Sequence, residues 1–128
     1  MAGVEIWNNP SCSKCVGARE TLDEAGVAYQ VRPYLDRPPT VAELTEVLRR
    51  LGVRAWEVCR IQEPAAVDRG MADWPRDDAS EPRWVEAMVA APELIQRPIL
   101  LLDDGSALVG RTPQALAEAV RRARRGGE

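Results

Sequence analysis

Two cysteines, Cys12 and Cys15, are separated by two residues in the stretch NNPSCSKC. Such a pair can form a redox disulfide, supply half of a metal site, or contain one reactive thiolate whose neighbour merely matches the motif. A helix predicted to start near Ser13 directs unpaired backbone N–H groups and a partial positive charge toward Cys12. This position lowers a thiol pKa and the adjacent Lys14 adds to the effect, so we predict that Cys12 is the reactive thiolate.

The second cysteine is predicted to be the less exposed one. Cys15 lies one helical turn beyond Cys12, in line with the apolar stripe of the same helix. An exposed first sulfur and a buried second sulfur suit thiol–disulfide chemistry. A structural zinc site needs four ligands, and the chain adds only Cys59 and no histidine. We therefore predict no metal site and interpret Cys59 as a packing residue.

Composition excludes several classes of protein. The chain has no histidine, so no Cys–His pair can activate the nucleophile. A net charge of −3 does not favour nucleic-acid binding. No apolar run approaches the roughly 20 residues of a membrane span, and we find no secretory signal pattern. Three cysteines, an odd number, suit a reducing compartment better than a set of structural disulfides. Together these observations lead us to expect a cytoplasmic protein that binds neither nucleic acid nor membrane.

The elements that position Cys12 form a predicted βαβ unit. Residues 3–7 and 27–34 alternate in hydropathy as strands do, and Ser11 or Ser13 is predicted to cap the helix between them. Gly26 is predicted to end that helix. Strands joined in this way run parallel through a right-handed crossover. The apolar positions of the helix are Cys15, Ala18, Leu22 and Ala25.

A helical middle and a closing β-β-α segment follow. A capping box at Thr40 and Glu43 predicts a helix start. We interpret residues 54–61 as a short helix. The stretch from Gln62 to Pro82 is predicted to be irregular with short helical turns, and residues 81–95 are predicted to contain a further helix.

The sequence pattern of the C-terminal third predicts a β-hairpin followed by a final helix. Strands over 98–102 and 107–109 flank an Asp104-Gly105 turn, and Thr112 caps the helix after them. We therefore predict one α/β domain over residues 1–128, with a helical insertion at about 40–95.

These motifs resemble those of a known family. A strand followed by NNPSCSKC, a late RPIL strand and VGR at the end of the next strand are similar to the glutaredoxin-linked arsenate reductases. The wider family also contains Spx-type transcriptional regulators. The resemblance extends over roughly residues 3–120. It implies a thioredoxin-like fold, in the order β-α-β, helical insertion, β-β-α, with a mixed four-stranded sheet.

The resemblance also implies a substrate site. In that family the catalytic cysteine follows an Asn-Pro-x stretch, as Cys12 does here, and three arginines hold the oxyanion. The matching arginines are Arg60 in EVCRIQEP, Arg97 in IQRPIL and Arg111 in LVGRTP. Planar guanidinium groups suit a tetrahedral oxyanion such as arsenate because they donate paired, charge-assisted hydrogen bonds.

Further positions follow from the same resemblance. Pro98 matches the family's cis-proline, and Asn8 and Ser13 are added as candidate substrate-binding residues. Many members carry histidine where this chain has Trp7-Asn8, so activation of the nucleophile rests more on the helix and the arginines. Many reductases also lack a cysteine at the position of Cys15.

The implied reaction is the reduction of arsenate to arsenite. The Cys12 thiolate attacks arsenic, glutathione acts as co-substrate and glutaredoxin completes the reduction. Cys15 can instead resolve the intermediate as a Cys12–Cys15 disulfide, which requires a thioredoxin-like partner. No metal or bound organic cofactor is implied.

Two alternatives stay open. An Spx-type regulator would use the cysteine pair as a redox switch while docked on RNA polymerase, although Arg111 and the acidic balance argue against it. A general thiol–disulfide oxidoreductase would use the same pair without an oxyanion substrate.

Overall fold

The computed structural model describes the backbone of residues 4–126 and the side chains of residues 4–124. The chain divides into two compact units. The first contains the residues up to Arg37 and those from Arg97 onward, and the second contains Pro38–Gln96. The single-domain assignment stays a prediction.

The described residues form four strands and five α-helices. The strands are β1 (Val4–Trp7), β2 (Tyr29–Arg32), β3 (Ile99–Leu101) and β4 (Ala107–Val109). The α-helices are α1 (Ser13–Glu24), α2 (Val41–Leu51), α3 (Pro64–Arg69), α4 (Glu81–Ala90) and α5 (Pro113–Gly126). Short 3-10 turns occupy Ala55–Val58, Met71–Asp73 and Pro92–Leu94.

The first unit contains the sheet, in the strand order β2-β1-β3-β4. Strand β1 pairs parallel with β2, whereas β3 is antiparallel to both β1 and β4. The predicted mixed four-stranded sheet and the parallel βαβ unit are therefore confirmed. Helix α1 ends at Glu24, and Gly26 turns the chain away from it with a φ of +72°, which residues other than glycine rarely adopt. The Val27 N–H closes this turn by donating to the Leu22 C=O at 3.0 Å.

One apolar core joins β1 and β3 to α1 and α5 in the first unit. Leu22 is fully buried there, and truncation of such a leucine to alanine costs about 2–5 kcal/mol. Gly110 follows β4 where a Cβ atom would lie 3.1 Å from side-chain carbons of Leu100 and Leu116, so this tight packing favours glycine. The buried members of the core are Val4, Ile6, Ala18, Leu22, Leu100, Leu102 and Ala119.

The second unit is helical. The predicted capping box of α2 is present: Thr40 Oγ1 accepts the Glu43 N–H at 3.0 Å, and Glu43 Oε1 accepts the Thr40 N–H at 2.9 Å. Trp84 of α4 is fully buried and meets the rings of Trp56 and Trp74 edge-on, at centroid distances of 6.2 and 5.3 Å. Aromatic packing thus forms the centre of this unit.

Two predicted elements are shorter than expected. The helix assigned to 54–61 is a single 3-10 turn over Ala55–Val58, because Cys59 pairs with Ile95 in an antiparallel bridge. The Arg60 N–H donates to Leu94 C=O at 2.7 Å in that bridge, so Arg60 is not helical. Strand β2 ends at Arg32 because the next residue, a proline, has no N–H to donate.

Candidate active site

Cys12 lies at the mouth of α1, in the turn that follows β1. The Asn9 C=O accepts the Cys12 N–H at 3.0 Å, and Asn9 Oδ1 accepts the Ser11 N–H at 2.9 Å. These bonds keep Cys12 extended, at φ −96° and ψ 122°, as the N-cap residue. The predicted cap at Ser11 or Ser13 is therefore wrong: Ser11 belongs to the turn, and exposed Ser13 is the first helical residue.

The N-cap position makes Cys12 acidic. Partial burial opposes ionisation of its thiol, but the Arg97 side chain and the N–H groups of Cys15 and Lys14 favour the thiolate more strongly. Together with the Cys15 thiol they lower the Cys12 pKa to about 7. The neutral side chain makes no capping hydrogen bond. It is the thiolate that the helix terminus stabilises.

Cys15 has the opposite character. It is fully buried, and burial raises its pKa to about 11 although the Asn9 N–H points at its sulfur from 3.4 Å. Burial likewise raises the pKa of Cys59 to about 11. All three cysteines are free thiols in the structure. At neutral pH Cys12 is thus the one that supplies a substantial thiolate fraction.

Two of the three candidate arginines lie at this site. Arg97 lies two residues before β3, its guanidinium stabilises the Cys12 thiolate, and its peptide bond to Pro98 is cis. Arg111 follows β4 and donates from Nη1 to the Arg97 C=O at 2.7 Å. The structure therefore brings Cys12, Arg97 and Arg111 together, with Pro98 at the position that the resemblance gives to the family's cis-proline.

A cleft of about 540 Å³ opens beside these residues. One wall is a face of α1 from Ser13 to Glu24, and the other is formed by Arg111, Thr112 and the start of α5. Lys14 and Arg111 contribute positive charges to this lining, and Glu20 and Glu24 contribute negative ones.

The third candidate arginine belongs to the second unit. Arg60 pairs with Glu63, whose Oε2 lies 3.2 Å from Nε and 3.1 Å from Nη2. Its Nη1 donates to Gln96 Oε1 at 3.1 Å. The guanidinium charge is thus compensated inside that unit, and a substrate role for Arg60 stays a prediction.

Two buried polar residues adjoin the nucleophile's turn. Asn8 is 5% exposed, and its Oδ1 atom has no hydrogen-bond partner within residues 4–124. Tyr34 is fully buried and stacks on Trp7 at 6.3 Å between ring centroids. Sequence reasoning included Asn8 but missed Tyr34. The signal available was an aromatic residue directly after the proline that ends the second alternating run.

Metal-binding clusters are lacking in the described part of the chain. Among these residues no group of three or more His, Cys, Asp or Glu side chains could hold a metal ion. Nor does any described helix have the length and apolarity to cross a membrane. The cytoplasmic location stays a prediction.

The acidity of Cys12 predicts a pH profile for its reactivity. We expect the rate of Cys12 alkylation by iodoacetamide to rise about tenfold per pH unit below the pKa, because only the thiolate reacts. With the Cys12 pKa at about 7 and those of Cys15 and Cys59 at about 11, the rate should level off near neutrality. Peptide mass spectrometry locates the label, and a midpoint near pH 9 would contradict the assignment.

The order of elements and the Cys–Arg pair agree with one family. The ArsC family matches residues 7–119. The chain belongs to the ArsC family. An "Arsenate reductase" of Neisseria meningitidis is 36% identical over 121 residues, which cover 94% of this chain and 99% of that protein. A Streptomyces viridochromogenes protein described as "Uncharacterized protein in glnII region" is 45% identical over 119 residues, 93% of this chain and 100% of that one.

A solved structure confirms the fold of this ArsC protein. The arsenate reductase from Vibrio cholerae superposes with a TM-score of 0.82 at 32% identity, over 93% of this chain and 99% of that one. The predicted thioredoxin-like α/β fold is therefore confirmed.

Proposed function

We propose that this ArsC protein reduces arsenate to arsenite, with Cys12 as the nucleophile. The observation that carries the proposal is the placement of the Arg97 guanidinium beside Cys12 at the mouth of α1, where it lowers the Cys12 pKa. A thiolate provides the nucleophile, and a guanidinium beside it provides a binding site for an oxyanion. Similarity to proteins named arsenate reductases supports the choice of arsenic as the atom attacked.

The first step forms a sulfur–arsenic bond. The Cys12 thiolate attacks arsenic(V), and one arsenate oxygen leaves as water after it takes up protons. Arg97 and Arg111 neutralise the negative charge on the remaining oxygens through charge-assisted hydrogen bonds. Arg97 interacts with both the Cys12 thiolate and arsenate, because the cation that stabilises the thiolate also attracts the anion.

Two further thiols complete the reaction. Glutathione forms a second sulfur–arsenic bond as another water leaves. A glutaredoxin thiolate then attacks the glutathione sulfur, and the electron pair of that sulfur–arsenic bond stays on arsenic, which reduces arsenic(V) to arsenic(III). Water finally hydrolyses the Cys12–arsenic(III) bond, which releases arsenite and restores the Cys12 thiol. Overall, arsenate and two thiols give arsenite, one disulfide and water. In the alternative route, Cys15 loses its proton and attacks the Cys12 sulfur in place of the external thiols. This step releases arsenite and leaves a Cys12–Cys15 disulfide, which a thioredoxin-like protein then reduces.

Three other residues are proposed as contributors. Ser13 lines the cleft, and buried Asn8 adjoins the turn that carries Cys12. Arg60 is included on the family resemblance and would have to exchange its Glu63 partner for the anion.

The proposal predicts arsenate-dependent turnover. We expect NADPH oxidation to depend hyperbolically on arsenate when the protein is coupled through glutathione, glutathione reductase and glutaredoxin. Replacing glutaredoxin by thioredoxin and thioredoxin reductase in a parallel assay identifies the regenerating system. Absence of an arsenate-dependent rate in both assays would contradict the proposed function.

Buried Cys15 favours one second candidate, a general thiol–disulfide oxidoreductase. That function needs both sulfurs but no oxyanion site. Insulin-disulfide reduction that depends on Cys15 and is unchanged in Arg111→Met would support it. The Spx-type regulator stays a prediction, tested by oxidation-sensitive retention on the RNA polymerase α subunit.

A further inference from the structure

Tyr34 lies at the Cys12 site although no motif marks it. It follows β2 in a turn closed by the Asp36 N–H, which donates to Pro33 C=O at 3.0 Å. Its ring stacks on buried Trp7, with an angle of 22° between the planes. Both rings are essentially inaccessible, at 0% and 1% exposure, so the phenol has a fixed position.

The hydroxyl of this ring is directed at the charged groups of the site. Arg97, Cys15 and Cys12 lie within electrostatic reach of Tyr34 Oη. Among residues 4–124, this oxygen has no hydrogen-bond partner at ordinary distance. The Arg97 guanidinium beside it is therefore the polar group available to it. A buried hydroxyl that serves packing alone is unfavourable, since phenylalanine packs equally well without an unsatisfied oxygen.

We propose that Tyr34 is a positioning residue whose buried hydroxyl orients the Arg97 guanidinium toward the Cys12 sulfur. The proposal rests on the proposed function only in taking Cys12 as the nucleophile. A guanidinium has five N–H donors, and the partly negative phenol oxygen favours rotamers that direct one edge toward the ring. The other edge then faces Cys12. The Arg111 bond to the Arg97 C=O fixes the backbone of the same residue.

The phenol stays neutral while it does this. Burial raises the Tyr34 pKa to about 12, although the positive charge of Arg97 opposes the increase. A neutral hydroxyl acts as an acceptor toward Arg97 without competing with the thiolate as a second anion. Tyr34 therefore contributes through Arg97 and does not contact substrate.

The test is the variant Tyr34→Phe, which removes one oxygen and keeps the ring. We expect the rate of Cys12 alkylation at pH 6 to fall about threefold, because a misoriented Arg97 raises the Cys12 pKa by about half a unit. The fall should vanish at pH 9, where Cys12 is ionised in both proteins. Tyr29→Phe is the matched control, because Tyr29 interacts with Asp23 and Arg19 instead, and it should leave the profile unchanged.

A double-mutant cycle tests the route of the effect. In the Arg97→Met background, Tyr34→Phe should produce no further change in the profile. An unchanged profile for Tyr34→Phe alone, or an undiminished effect without Arg97, would overturn the proposal. If Tyr34→Phe does not fold, 3-fluorotyrosine in the Tyr29→Phe protein weakens the same acceptor and should slow alkylation in the same direction. None of these measurements uses arsenate, so their failure is distinguishable from failure of the proposed function.

Discussion

Cys12→Ser should abolish arsenate reduction, with a loss of turnover of at least about 10³-fold in the coupled NADPH assay. A serine hydroxyl is scarcely ionised at neutral pH, whereas the Cys12 pKa lies at about 7. Serine also cannot form the sulfur–arsenic bond of the adduct on which the external thiols act. The substitution is nearly isosteric, and the helix retains a good capping residue at this position.

Cys59→Ser is the matched control for this loss. Cys59 belongs to the second unit, and burial keeps its thiol protonated. We expect this variant to retain wild-type turnover. Equal rates for wild type and Cys12→Ser would refute the assignment of the nucleophile.

Arg97→Met should have the second largest effect, because one substitution removes two contributions. The Cys12 pKa should rise toward that of an ordinary cysteine, since Arg97 is the strongest of the groups that lower it. The oxyanion should also lose a charge-assisted donor, a change that typically costs about 10²–10³ in rate. We expect kcat/KM for arsenate to fall by about 10²-fold, with the pH–rate profile displaced to higher pH.

The displacement of the pH–rate profile distinguishes an effect of Arg97 on the Cys12 pKa from a simple loss of affinity for arsenate. Arg97→Lys keeps the charge but loses the planar fork, so its profile should move less while its KM for arsenate still rises. Arg37→Met removes an exposed arginine of the same unit and should change neither quantity. A large KM effect of Arg97→Met with an unmoved profile would show that Arg97 does not act on Cys12.

Local sequence signals account for most of the fold. Alternation in β1 and β2, the stripe through Leu22 and the left-handed Gly26 each reflect a backbone requirement that neighbouring residues satisfy. The capping box at Thr40 is equally local. The helix ends are predictable because their hydrogen bonds close within a few residues. The strands are predictable because their side chains alternate between the two faces of the sheet.

The structure differs from the sequence prediction at Cys59 and Arg60, where distant residues decide the local structure. Cys59 and Arg60 leave helical geometry because Ile95 and Leu94 pair with them, a contact that no local pattern encodes. The N-cap differs from the prediction for a local reason: Asn9, and not a serine, closes the turn before Cys12, so that Cys12 itself takes the cap position.

The candidate active site also has features that local sequence predicts and features that only the fold creates. The reactivity of Cys12 could be predicted from its place at a helix start. Its contact with Arg97 depends on β1 and β3 being neighbours in the sheet. The family resemblance suggested that arginine, whereas Tyr34 has no motif and requires the folded structure to be recognised.

The most direct measurement is a crystal structure of the Cys15→Ser protein soaked with arsenate in the absence of any other thiol. The account predicts arsenic covalently bound to Cys12 Sγ, with the guanidinium groups of Arg97 and Arg111 on its oxygens. A free Cys12 sulfur under saturating arsenate, or arsenate bound away from both arginines, would contradict it.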